Sequence, residues 1–148
     1  RIAISALGEG SSYTGYVRVY DRDASNTTVE PIGWTQVGNN INSDFQAGFD
    51  YSGTEVAISS VAMSSDGTRI AIGAPDNKGY VHVYDWDGSS WTQVGDDIDG
   101  DATVDFSGWS VAMSSDGTII AIGAPYNDGD DTTNSKRGHV RVYELDIP

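Results

Sequence analysis

Apolar and polar residues alternate with a period of two through short runs of this chain. In Tyr80-Val-His-Val-Tyr84, Val81 and Val83 fall on one side and His82 on the other. Tyr16-Val-Arg-Val-Tyr20 and His139-Val-Arg-Val-Tyr143 repeat the pattern. That alternation is the mark of a strand with one buried face. No stretch keeps apolar residues at i, i+3, i+4 and i+7 through even three turns, so the chain reads as all-β. Val81, Val83, Ile120, Ile122, Val140 and Val142 are the expected core positions.

The runs recur as a unit. Val61-Ala-Met-Ser-Ser-Asp-Gly-Thr68 returns 50 residues later as Val111-Ala-Met-Ser-Ser-Asp-Gly-Thr118. Each copy leads into an Ile-Ala-Ile-Gly-Ala-Pro segment, ending at Pro75 and Pro125, and then a Tyr-rich run. The chain opens inside a unit, at Arg1-Ile-Ala-Ile-Ser-Ala6. A fixed period of this length signals stacked copies of one supersecondary unit. The expected copies span residues 1–68, 69–118 and 119–148 of a single repeat domain, about 2.5 units in all.

Residues 69–118 contain four strand-length runs, and Asp66-Gly67 and Asp116-Gly117 are tight-turn dipeptides that join runs into hairpins. Four antiparallel strands per unit describe a blade of a β-propeller. A β-solenoid is the competing architecture. The chain supplies roughly ten strands, too few to close a propeller ring, which takes at least four blades. Two insertions, Asp23–Gly33 and one around Thr54–Ser59, fall between strands, where added length costs little.

Phe106-Ser-Gly-Trp-Ser-Val-Ala112, Asp116-Gly117, Ile120-Ala-Ile-Gly-Ala-Pro125 and Gly138-His-Val-Arg-Val-Tyr143 together resemble FG-GAP repeats. The resemblance implies a propeller of the kind that heads integrin α-subunits and many secreted or surface proteins. The chain departs from the pattern at Phe106-Ser-Gly108 and at Ser5-Ala-Leu7. The link between the Ser-Val-Ala and Gly-Ala-Pro strands, where that family holds calcium, is only Ser-Ser-Asp-Gly-Thr. The family's calcium site is therefore not expected there.

Charge narrows the partners. Twenty-two acidic residues against eight basic ones give a net charge of −14. Such a surface repels phosphate backbones, which argues against nucleic acid as a partner. Anionic membranes are disfavoured too, and no apolar run approaches the length of a membrane span. With no cysteine, disulfides, thiol catalysis and zinc–thiolate sites are excluded.

Asp97-Ile-Asp99-Gly-Asp101-Ala-Thr-Val-Asp105 places carboxylates at relative positions 1, 3, 5 and 9, a spacing shared by many calcium loops. Asp97, Asp99, Asp101 and Asp105 are the candidate metal ligands and calcium the candidate cofactor, set against a plain solvated turn. The matching stretch of the first copy, Asn40-Ile-Asn42-Ser-Asp44, keeps oxygen donors and loses charge. Asn127-Asp-Gly-Asp-Asp131 reads as an exposed loop. Asn26-Thr27-Thr28 is an N-glycosylation sequon inside the first insertion, suited to a secreted glycoprotein.

Trp34 and Trp91 hold matched positions, as packing between units requires; Trp86 and Trp109 lack strict counterparts. His82 and His139 are not equivalent to one another, and neither has a recurring acidic or nucleophilic neighbour, so no catalytic residue is assigned. The expected function is a non-enzymatic extracellular or cell-surface repeat module, acting through protein–protein contact, adhesion or self-assembly into a surface structure or filament. Its expected partners are further copies of itself or further blades of a longer chain. A carbohydrate-binding or carbohydrate-processing propeller is the rival.

Overall fold

The computed structural model describes residues 1–6, 15–42, 48–49, 55–56, 58, 60–129 and 136–145. Thr54, Ala57 and Ser59 of the second insertion lie outside them, as do Asp44, Asp130 and Asp131. All regular structure among these residues is antiparallel β, with no helix.

The first sheet orders β1 (Ile2–Ala6), β2 (Tyr16–Arg22) and β3 (Trp34–Gln36). A short pair, β4 (Gly48–Phe49) and β5 (Glu55–Val56), follows. In the middle sheet β6 (Ser60–Met63), β7 (Arg69–Ala74) and β8 (Tyr80–Trp86) lie side by side. Both β9 (Trp91–Gln93) and β10 (Ile98–Asp99) pair along the far edge of β8. The third sheet orders β11 (Ser110–Met113), β12 (Ile119–Ala124) and β13 (His139–Glu144).

Sheet boundaries do not follow the repeat boundaries read from the sequence. The run ending residues 69–118 is β11, and it pairs with β12 of the next sheet, Val111 opposite Ile122. Likewise β6 pairs with β7, across position 68/69. The reason is local. In Ser64–Thr68, Ser64 N–H donates to the Arg69 carbonyl at 3.0 Å and Gly67 N–H to the Ser64 carbonyl at 3.0 Å. Gly67 takes φ 71°, a left-handed conformation that glycine adopts without penalty. The Ser114–Thr118 turn repeats both bonds, with Gly117 at φ 74°. Each turn forces the strand before it into the sheet of the strand after it.

The three sheets stack face to face, and each contributes two unlike faces. On one face of the middle sheet Ile70, Ile72, Ala74 and Tyr84 are buried against Val17, Val19 and Ile41 of the first sheet and its following loop. On its other face Ala71, Val81 and Val83 are buried against Ile120 and Ile122 of the third sheet. Every residue of β7 is consequently buried. The same rule governs both interfaces: the isoleucines of one sheet seat on the valines of the sheet before it.

Val81, Val83, Ile120 and Ile122 lie in these interfaces. Val140 and Val142 do not, and the expectation that they are buried is corrected: they are 67% and 68% exposed. They occupy the valine face of the third sheet, which no described residue covers. Period-two alternation locates a face; only the stacking decides whether that face meets another.

Candidate functional site

The four carboxylates of the acidic loop are each held by a different group. Asp97 accepts a bond from Gln93 Nε2 at 2.8 Å and lies 3.0 Å from His82 Nε2. Asp99 pairs with Lys78 at 3.2 Å, and Asp101 pairs with Arg141 of β13. Asp105 is buried, accepting from Ala102 N–H at 3.0 Å and from Asn127 Nδ2 at 2.7 Å. They do not converge, and no group of three or more His, Asp or Glu among the described residues is placed to hold a metal. The residues do not fit a shared cation.

What the loop does instead is join sheets. Phe106 N–H donates to the Asn77 carbonyl and Ser107 N–H to the Lys78 carbonyl, both at 3.2 Å. The Phe106 ring is buried edge-on to Trp109 and Tyr126. The segment around Phe106 and Gly108 thus fastens the loop after β7 to the loop after β12. Gly108 brings its carbonyl to the Ser60 hydroxyl at 2.9 Å, while a Cβ on Gly73 would strike that same carbonyl.

A second fastening recurs between sheets and is absent from the sequence-derived candidates. Arg69 grips Asp85 through Nε and Nη2, each at 2.6 Å, and its Nη1 donates to the Gly117 carbonyl of the following turn at 3.0 Å. Arg1 does the same with Asp21, at 2.8 Å twice, and with the Gly67 carbonyl at 2.7 Å. The signal was present as Arg before Ile-Ala-Ile in two copies, with Asp at a fixed place after each Tyr-rich run. In the third copy the Arg position is Ile119 and the Asp position is Glu144.

Turn carboxylates are similarly committed. Asp66 accepts from the Ser64 hydroxyl at 2.7 Å and Thr68 N–H at 3.0 Å, and these bonds hold its pKa down to about 2. Asp116, bonded alike to Ser114 and Thr118, is also lowered to about 2. The backbone amides of Ser90 and Ser89 hold Asp87 well below the usual carboxylate range. Charge stabilised by local donors favours the ionised form.

Asn26 lies within the insertion and braces it. Its Nδ2 donates to the Trp34 carbonyl at 2.7 Å and the Val29 carbonyl at 2.9 Å, while its Oδ1 accepts from Val29 N–H at 3.0 Å. Trp91 packs on Trp86 and donates from Nε1 to the Val37 carbonyl of the first sheet at 3.1 Å. Its counterpart Trp34 borders an open hollow of about 1010 Å3 on the outer face of the first sheet, with Tyr20, Asp23 and Gln36. Trp109 is 39% exposed. His82 is buried between Tyr80 and Tyr84, and His139 lines a smaller hollow with Asp101, Asp105 and Arg141.

Residues 91–143 match the family model described as FG-GAP repeat. That stretch runs from β9 into the Tyr-rich strand β13 and takes in the Phe106 fastening. No curated protein matches the chain.

Proposed function

We propose that this chain is a non-enzymatic, extracellular or cell-surface contact module of propeller type, working through protein–protein association. Membership of residues 91–143 in the FG-GAP repeat family supports this, since such repeats typically serve extracellular protein contact and adhesion. The observation that carries the reading is how the polar side chains are spent. The arginine forks, the turn aspartates and the acidic loop all hold the protein's own groups, while large apolar residues remain at both outer faces. A catalytic centre requires converging titratable groups in a pocket, and a contact module requires exposed apolar area framed by polar residues.

Labelling intact cells with a membrane-impermeant cross-linker tests the reading. Recovery of the chain from the labelled surface, joined to protein neighbours, is the expected result; recovery only after permeabilisation refutes the location. The hollow beside Trp34 favours carbohydrate as a second ligand class, because a half-buried indole lining an open hollow among Asp and Gln suits sugar stacking. A glycan array separates the two: binding abolished by Trp34→Ala supports the sugar, and a blank array removes it.

A further inference from the structure

Resting on the reading of the chain as a contact module, we propose that its partner is a second copy, docked head to tail. The valine face of one third sheet would seat on the isoleucine face of the next first sheet.

The two outer faces are unused halves of an interface the chain already makes twice. Ile70 and Ile72 are 0% exposed, and Ile120 and Ile122 are 0% and 2%; their first-sheet equivalents Ile2 and Ile4 are 38% and 49% exposed. Val17, Val19, Val81 and Val83 are at most 3% exposed, against 67% and 68% for Val140 and Val142. The isoleucines and valines of the outer faces match those of the inner ones in place and kind, and differ in exposure. Trp34 agrees: its equivalent Trp91 donates to the Val37 carbonyl across an interface, whereas the Trp34 indole has no hydrogen-bond partner among the described residues.

Charge fits the same pairing. At the inner interface Arg1 of the valine face reaches Asp21 in its own sheet and lies over the Trp86 ring of the next, 6.0 Å from its centroid. At the outer faces the cation has changed sides. Ile119 replaces the arginine and leaves the exposed Glu144 with no cationic partner among the described residues, while the position of Trp86 is taken in the first sheet by the exposed Arg22. Docking in the inner geometry brings Arg22 of the incoming copy to Ile119 and Glu144, restoring the missing pair. A contact of this heterologous kind propagates into a ring or a filament according to its rotation.

Sedimentation velocity on the 148-residue chain at micromolar concentration tests this, with circular dichroism confirming that each variant is folded. Wild type is expected to form reversible oligomers. Val140→Asp with Val142→Asp blocks one face, and Ile2→Asp with Ile4→Asp blocks the other. Each doubly substituted chain is expected to be monomeric alone, and a mixture of the two to give a one-to-one dimer and nothing larger. Glu144→Arg should weaken association about tenfold, and mixing it with Arg22→Glu should restore it; this exchange alters only exposed charges and decides the matter if an aspartate variant unfolds. A monomeric wild type, or blocked chains that fail to pair, overturns the proposal, as when a further sheet of a longer polypeptide or a foreign protein covers these faces. A monomer that still cross-links to cell-surface proteins leaves the contact function standing and removes only the second copy.

Discussion

Arg69 and Gly117 meet across two sheets, the guanidinium Nη1 donating to the turn carbonyl at 3.0 Å while its other nitrogens hold Asp85. One side chain therefore fixes both its own hairpin and the position of the following one. Its geometry uses the planar fork that lysine lacks.

Arg69→Ala should lower stability by about 2–3 kcal/mol in urea unfolding, since three charge-assisted bonds of a buried side chain are lost. Arg69→Lys should recover less than half of that. Arg1→Ala should cost below about 1 kcal/mol, because Asp21 is largely solvated and surface pairs contribute little. Equal losses at the two arginines would contradict the assignment.

Truncations should separate inner from outer faces. Ile70→Ala and Ile120→Ala remove fully buried methyl groups and should each cost about 2–5 kcal/mol. Val140→Ala and Val142→Ala, measured at concentrations that keep the chain monomeric, should cost under about 1 kcal/mol, as exposed sites do. A large loss at Val142 in the monomer would mean that its face is covered.

Two glycines at equivalent places should differ. A Cβ on Gly73 would collide with the Gly108 backbone carbonyl, whereas on Gly123 it would meet the rotatable Ser110 hydroxyl. Gly73→Ala should therefore destabilise by more than about 2 kcal/mol and Gly123→Ala by less than about 1, since overpacking against backbone has no easy relief. Thermal melts of the two variants give the comparison directly.

Acid should unfold the chain through its turns. Asp66 and Asp116 have folded pKa values near 2, below their ordinary value of 3.8. A depressed carboxylate contributes fully above the unfolded value, and its contribution is lost as pH falls through the folded one. The melting temperature should hold down to about pH 4 and fall toward pH 2. The double variant Asp66→Asn, Asp116→Asn should show a shallower acid limb; an unchanged slope would assign the loss to other carboxylates.

Strands, hairpin turns and the repeat were legible in the chain because each depends on neighbours in sequence. Alternation in Tyr80–Tyr84 sets a strand face, and Asp-Gly at 66–67 and 116–117 sets a tight turn whatever lies beyond it. Even the arginine fork left a trace in the recurrence of Arg1 and Arg69. The acidic loop shows the limit: Asp97, Asp99 and Asp101 have the spacing of a cation loop, yet Gln93 with His82, Lys78 and Arg141 draw them to different places. Spacing fixes which residues are near in the chain, not which competitor takes each oxygen. The same holds for burial. Val83 and Val142 occupy equivalent positions, and the sequence alone determined that both point from one face of a strand. Stacking decided the rest: a sheet lies over Val83 and none of the described residues lies over Val142. Hydrophobic burial is a property of the surfaces that meet, and those are set by the assembly of sheets.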